Sequence, residues 1–343
     1  MPNYKRHNLL FLLLFAVTIL LFFCNISFGS VNIPFREVFH ALTGSEVSKQ
    51  AWEYIIINYR LPKAITAILA GMGLSISGLL MQTLFRNPLA GPYVLGLSSG
   101  ASLGVSFVIL GAGFLPAFLS NILLSSYGVV LASTIGSFLV LLLVLIVSQK
   151  LRDTAAILIV GLMFGSFTSA IVSVLTYFST AEQLQKFTFW ALGNLGNLSW
   201  LSLTILTVTV LTGLLLSIFS IKSLDALLLG ENYARSLGLN FQKARLVIIL
   251  ATSLLAGSIT AFAGPIAFVG LAVPHIAKLL FQTSNHRILF FSTLLIGSGI
   301  MLLCDLLSQF PGSDITLPIN AITSIIGAPV VIWLLLRKKK LAS

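Results

Sequence analysis

The chain has 343 residues, of which 57% are hydrophobic and only 8% are charged. Soluble domains carry about 25% charged residues, so this surface does not face water, and at ~20 residues per membrane-spanning helix the apolar content fills roughly eight to ten spans. A net charge of +11 would suggest nucleic acid in a soluble protein; here its distribution between loops carries the meaning, and no nucleic-acid partner is expected.

The apolar runs are continuous rather than alternating, which excludes a β-barrel of ~10-residue strands. The expected fold class is all-α, a polytopic membrane protein with about ten transmembrane helices. In chain order the spans are predicted at 8–28, 61–83, 93–112, 123–148, 155–178, 200–220, 245–264, 266–282, 288–307 and 317–336. The first follows Lys5 and Arg6, and Ser27-Phe28-Gly29 makes a poor cleavage site, so it reads as a retained span rather than a signal peptide. The whole chain reads as one transmembrane domain.

Cytoplasmic loops of membrane proteins collect Lys and Arg. With the N-terminus inside, the basic residues of the 86, 150–152, 222–245, 278–287 and 337–340 stretches all fall inside, leaving Arg36, Lys49, Arg60, Lys63 and Lys186 outside. Both termini are therefore expected in the cytoplasm. The span centres carry essentially no charge, so there is no proton relay or ladder of gating arginines of the kind that intramembrane charges mark. Cys24 and Cys304 lie in apolar runs without metal-ligand or disulfide spacing, and His275 stands alone; no cofactor and no metal site is expected.

Small residues recur at four-residue spacing: Ala67, Gly71 and Ser75; Gly96, Gly100 and Gly104; Gly161, Gly165, Ser169 and Ser173. Lipid gives helices no hydrophobic reason to associate, so such faces let backbones pack closely. Asn87-Pro88 and Gly91-Pro92 break the helix between the second and third spans. They form either a short turn or a re-entrant element lining a pathway. "LAGMGLSISG" (69–78) before "GPYVLGL" (91–97) is echoed by "LAGSITAFAG" (255–264) over "GPIAFVGL" (264–271), with the two copies running in opposite directions. Inverted repeats with interrupted helices mark transporters, here about 60–178 and 245–336. Within the inner loop 221–245, residues 223–237 are predicted to form an amphipathic helix closed by Gly238. No G-x-x-x-x-G-K-[ST] phosphate loop occurs in the chain, so an ATP motor would have to be a separate polypeptide.

The segment "RLPKAITAILAGMGLSISGLLMQTLFRNPLAGPYVLGLSSGASLG" (60–104) resembles the signature of the FecCD family. "LLLGENYARSLGLN" (227–240), "GPIAFVGLAVPHIAK" (264–278) and "LPINAITSIIGAPVVIWLLL" (317–336) resemble its later blocks in order. These are permease subunits of bacterial ABC importers for iron(III)-siderophores, haem and cobalamin. The resemblance implies a cobalamin-importer-permease-like fold in the bacterial cytoplasmic membrane. Its implied partners are a second permease subunit (the same chain or a paralogue), two ATP-binding subunits and a periplasmic or lipid-anchored substrate-binding protein.

It places the ATPase-coupling element at Leu224 to Leu239, through Leu224, Asp225, Leu229, Gly230, Glu231, Ala234, Arg235, Leu237, Gly238 and Leu239. Arg60 and Lys63 match basic residues that face the binding protein, and a further family arginine appears here as Gln309. The cytoplasmic gate maps to Asp153 and Thr154, and Asn87 and Pro88 are candidates for the pathway if their break is the re-entrant element. Iron(III)-siderophore is the expected cargo, with haem or cobalamin as alternatives. A secondary transporter, or an intramembrane enzyme using His275 with Asp305 or Cys304, is a remote alternative.

Overall fold

The computed structural model describes residues 3–341 apart from 115, 117, 119–121, 151–153, 197, 237 and 310–315. Among the described residues the structure is all-helical, and its one strand-like feature is an isolated bridge between Gln309 and Thr316. Helix is what an apolar solvent dictates, because it satisfies every backbone N–H and C=O within one segment.

The long helices are α1 (Asn3–Ser27), α4 (Leu61–Leu84), α6 (Ser126–Lys150), α7 (Thr154–Tyr177), α9 (Trp200–Phe219), α12 (Phe241–Ala263), α14 (His286–Ser308) and α15 (Ile319–Leu341). Shorter ones lie between them: α2 (Phe35–Thr43), α3 (Gln50–Ile55), α5 (Leu97–Ile109), α8 (Ala181–Leu192), α10 (Ile221–Leu228), α11 (Glu231–Ser236) and α13 (Val269–Phe281). Among the described residues, seven helices are long and apolar enough to cross a membrane, and three shorter apolar helices cover Leu97–Gly113, Val269–Phe281 and Ile319–Trp333. Each of these ten segments overlaps one predicted span. The sequence reading did not anticipate α2, α3 or α8.

One π-helical turn, Ile56–Arg60, joins α3 to α4 into an unbroken helical run of 35 residues. At 1.5 Å per residue such a run is about 50 Å long, well beyond a hydrocarbon core of ~30 Å. A run of that length exceeds the thickness of the apolar layer, so part of it projects beyond that layer.

The chain divides into two compact units. Unit 1 comprises Met1–Ser75, Asn194–Val208 and Ile266–Ser343. In it α1 lies along α14, and α13, α14 and α15 pack on one another. The start of α4 reaches α14 by close backbone approach: a methyl placed on Gly71 would run into the Gly297 carbonyl, and one on Gly297 into Ser75. This is the first predicted small-residue face.

Unit 2 comprises Ile76–Gly193 and Thr209–Pro265. Its centre is α5, flanked by α6, α7 and α12. A side chain on Gly100 would meet the Gly136 carbonyl at 2.5 Å, and one on Gly104 would strike the Ala132 carbonyl. The third face behaves differently. Gly161 is buried against α5, but Ser169 and Ser173 are exposed. Four residues advance a helix by slightly more than one turn, about 40° too far at 3.6 residues per turn, so a strict four-residue stripe drifts off the buried side.

Candidate functional site

Two groups of predicted residues converge, one in each unit. In unit 1 the C-terminal turn of α14 carries Asp305, which is 1% exposed. Three side chains from different parts of the chain meet its carboxylate. Lys63 Nζ lies 3.0 Å from Oδ1, Asn25 Nδ2 donates to Oδ2 at 2.8 Å, and Gln309 Nε2 donates to Oδ2 at 3.1 Å. An isolated carboxylate in apolar surroundings is costly, and a paired, hydrogen-bonded one is the stable alternative.

Arg60 lies one turn before Lys63, at the end of the π turn. Its guanidinium is buried and donates to the carbonyls of Ile26 and Ser27 at 2.7 Å each, and to that of Val31. The first two are among the orphan carbonyls at the C-terminus of α1, where a cation is favoured by the helix dipole. Gly29 leaves the room this requires: a Cβ there would sit 2.8 Å from Arg60 Nη2 and 3.0 Å from Gln309 Oε1. Above these groups is an open pocket of about 320 Å³, with Tyr59, Arg60, Lys63, Gln309 and Thr316 among its walls. Arg60 and Lys63 against Asp305 leave it with a positive balance.

Arg60, Lys63 and Gln309 are thus brought together, with their polar ends engaged inside the protein. Sequence reasoning missed Asn25 altogether and gave Asp305 no part in holding Lys63 or Gln309. The one available signal was the i, i+4 spacing of Asp305 and Gln309.

In unit 2 the segment predicted as one amphipathic helix over 223–237 is two helices, α10 and α11. The chain bends at Gly230, whose φ of +109° lies in the region that favours glycine. Leu229 N–H donates to Ala226 and Gly230 N–H to Leu227, which closes α10. Leu224 and Leu227 are buried, as is Ala234 on α11, whereas Leu228 and Leu229 are exposed. The buried set anchors the elbow and the exposed set faces outward, the division an amphipathic segment makes. Leu239 N–H returns to the Ala234 carbonyl at 3.1 Å across Gly238, and the Asn240 side chain caps α12 through Lys243 N–H. Leu237 and Asp153 lie outside the described residues. Thr154 is the first residue of α7.

Asn87 and Pro88 form a tight turn. Ala90 N–H donates to the Asn87 carbonyl at 3.0 Å, and Leu89 N–H to Asn87 Oδ1 at 2.9 Å. A single 3₁₀ turn, Pro92–Leu95, then leads into α5. Asn87 and Pro88 thus sit in a short turn between α4 and α5. His275 hydrogen-bonds the Leu271 carbonyl within its own helix, and among the described residues no three His, Cys, Asp or Glu side chains cluster as a metal site would need.

The profile of the FecCD transport family matches residues 17–337. The chain belongs to that family. Among FecCD relatives, the hemin transport system permease protein HmuU of Yersinia pestis is 33% identical over 331 residues, covering 96% of this chain and 95% of that protein. The vitamin B12 import system permease protein BtuC of Escherichia coli O9:H4 is 35% identical over 289 residues, 84% of this chain and 85% of its own. A solved inward-facing structure described as a metal-chelate type ABC transporter superposes with a TM-score of 0.82 at 28% identity, covering 96% of this chain and 99% of that one. This FecCD protein is accordingly a permease subunit of an ABC importer and not an enzyme, with ATP hydrolysis on separate ATPase subunits. Family membership replaces the secondary-transporter and intramembrane-enzyme alternatives.

Proposed function

We propose that this permease carries an iron(III)-siderophore across the bacterial inner membrane, powered by two ATPase subunits and supplied by a substrate-binding protein. The observation that carries the reading is what the relatives' names share. Hemin, vitamin B12 and a metal chelate are all metals already enclosed by an organic ligand, so the conduit handles an organic surface and need not coordinate the metal. Haem and cobalamin remain within the same chemical class and are arms of the test.

Two copies, or this chain with a paralogue, would form the pathway between them. Exposed Ser166, Ser169 and Ser173 on α7 supply a mildly polar helix face suited to that position. Ser166 and Ser173 donate to carbonyls of their own helix, so the face stays tolerant of a passing ligand. The charge bias of the loops supports cytoplasmic termini and a cytoplasmic α10–α11 elbow, whose exposed Leu228 and Leu229 fit a cleft on the ATPase. The pocket beside Lys63 supports docking of an acidic group from the binding protein. Asp153 and Thr154 would act at the cytoplasmic gate, with Asn87 and Pro88 on the pathway.

The test is ATP-dependent uptake in proteoliposomes holding the permease, its ATPase and its binding protein, offered ferric siderophore, haem and cobalamin in turn and no ion gradient. Uptake of ferric siderophore in preference to the other two is expected. Preferential uptake of haem or cobalamin would overturn the cargo, and uptake without the ATPase would overturn the whole reading.

A further inference from the structure

One basic residue in unit 2 has no part in the reading above. Arg86 follows α4 with a left-handed backbone, φ +47°, a conformation uncommon for a residue with a side chain. It terminates two helices at once. Its own N–H donates to the Thr83 carbonyl at 3.2 Å, in the last turn of α4. Its guanidinium reaches across 142 positions of sequence, and Nη2 donates to the carbonyl of Leu228 at 2.5 Å. Leu228 is the final residue of α10, where carbonyls lack helical partners and the dipole favours a cation.

The guanidinium lies beside the bend at Gly230: a Cβ there would stand 3.5 Å from both Nη atoms of Arg86, ordinary contact distance, and it is the φ of +109° that calls for glycine. On its other side Arg86 is joined directly to the Asn87–Ala90 turn that leads to α5. The residue is therefore a strut between the elbow and the break that separates α4 from α5.

We propose that Arg86 is the positioning residue that couples the α10–α11 elbow to the helix break at 86–96, so that displacement of the elbow is delivered to α5. The proposal rests on the elbow being the ATPase-coupling element. Arginine suits the task because its planar fork holds a direction, which the single-point ammonium of lysine does not. A bond solvent can reach is worth little to the fold but is enough to keep two elements in register.

The experiment uses the complete reconstituted transporter with the variants Arg86→Ala and Arg86→Lys. Removing one charge-assisted hydrogen bond is expected to lower cargo moved per ATP hydrolysed roughly three- to tenfold, with Arg86→Lys in between. ATPase association should be unchanged, and spin labels at exposed Leu89 and Leu229 should show a broader distance distribution in Arg86→Ala. Wild-type stoichiometry in both variants would overturn the proposal. So would loss of ATPase association, which would make Arg86 a structural support of the docking surface. The underlying reading has its own control: a transporter lacking residues 224–239 that still binds the ATPase refutes the elbow's role, whatever Arg86 does.

Discussion

Arg60 and Arg86 each place a guanidinium on the carbonyls that end a helix, yet the two corners differ in what surrounds them. Arg60 is 8% exposed and donates to three carbonyls, within reach of a buried ion pair. Arg86 is exposed and makes one long-range bond. Burial converts the first into a fixed part of the fold, since the Ile26 carbonyl has its side-chain donor out of water while the Ser27 carbonyl also accepts from Ile33 N–H. Exposure leaves the second replaceable by solvent, which is the property of a joint. The same residue type thus serves as an anchor in one unit and as a hinge pin in the other.

That contrast can be broken by mutation, and the largest effect is expected at Asp305. Asp305→Ala leaves the Lys63 ammonium without its carboxylate and the Asn25 amide with only the Leu302 carbonyl at 3.4 Å, and breaking one side of a buried pair costs about 3–5 kcal/mol. Because Lys63 is 18% exposed, the lower end applies. Thermal unfolding in detergent should show a clear fall in midpoint, with Asp305→Asn milder. Arg60→Ala should come next, at roughly 1–3 kcal/mol for stranding the buried Ile26 carbonyl, with only partial recovery in Arg60→Lys. Arg86→Ala should shift the same midpoint by less than ~1 kcal/mol, as exposed substitutions do. A destabilisation by Arg86→Ala equal to that of Arg60→Ala would erase the distinction.

The smallest effect concerns α2, at another exposed contact. Glu37 accepts from Ser48 N–H at 2.8 Å and from the Ser48 hydroxyl at 2.7 Å. The backbone bond first, then the side-chain bond, with His40 and Arg36 adding attraction, hold its carboxyl below the ordinary range. A lowered acid pKa means the bonded, ionised form supports the loop above the unfolded pKa, and that support is lost as pH falls through the folded value. Ser48→Ala should raise the Glu37 pKa part-way, because the N–H remains; carboxylate titration by NMR would register it, and no rise would exclude the hydroxyl as a cause.

How legible these features were follows from their range. Ten apolar runs were visible because a bilayer enforces continuous helix, and the helices observed overlap all of them. The faces Gly71–Ser75 and Gly100–Gly104 were visible because close packing requires small residues at local spacing. The α7 stripe misled, since spacing says nothing of how far a helix stays in contact. The single helix expected at 223–237 failed at Gly230: a glycine inside an amphipathic pattern fits either a continuing helix or a bend. The meeting of Asn25, Lys63 and Asp305 left no local trace, as Asn25 and Asp305 stand 280 positions apart.

Composition, span pattern and motif order alone determined that this is an all-helical membrane permease of the FecCD family, because the solvent and the segment both act along the chain. Only the tertiary structure decided that Arg60 and Lys63 are held from within, that the segment expected as one helix at 223–237 is an elbow, and that Arg86 grips it. Those outcomes depend on which carbonyls and carboxylates folding brings within hydrogen-bond reach, a matter of distance in space.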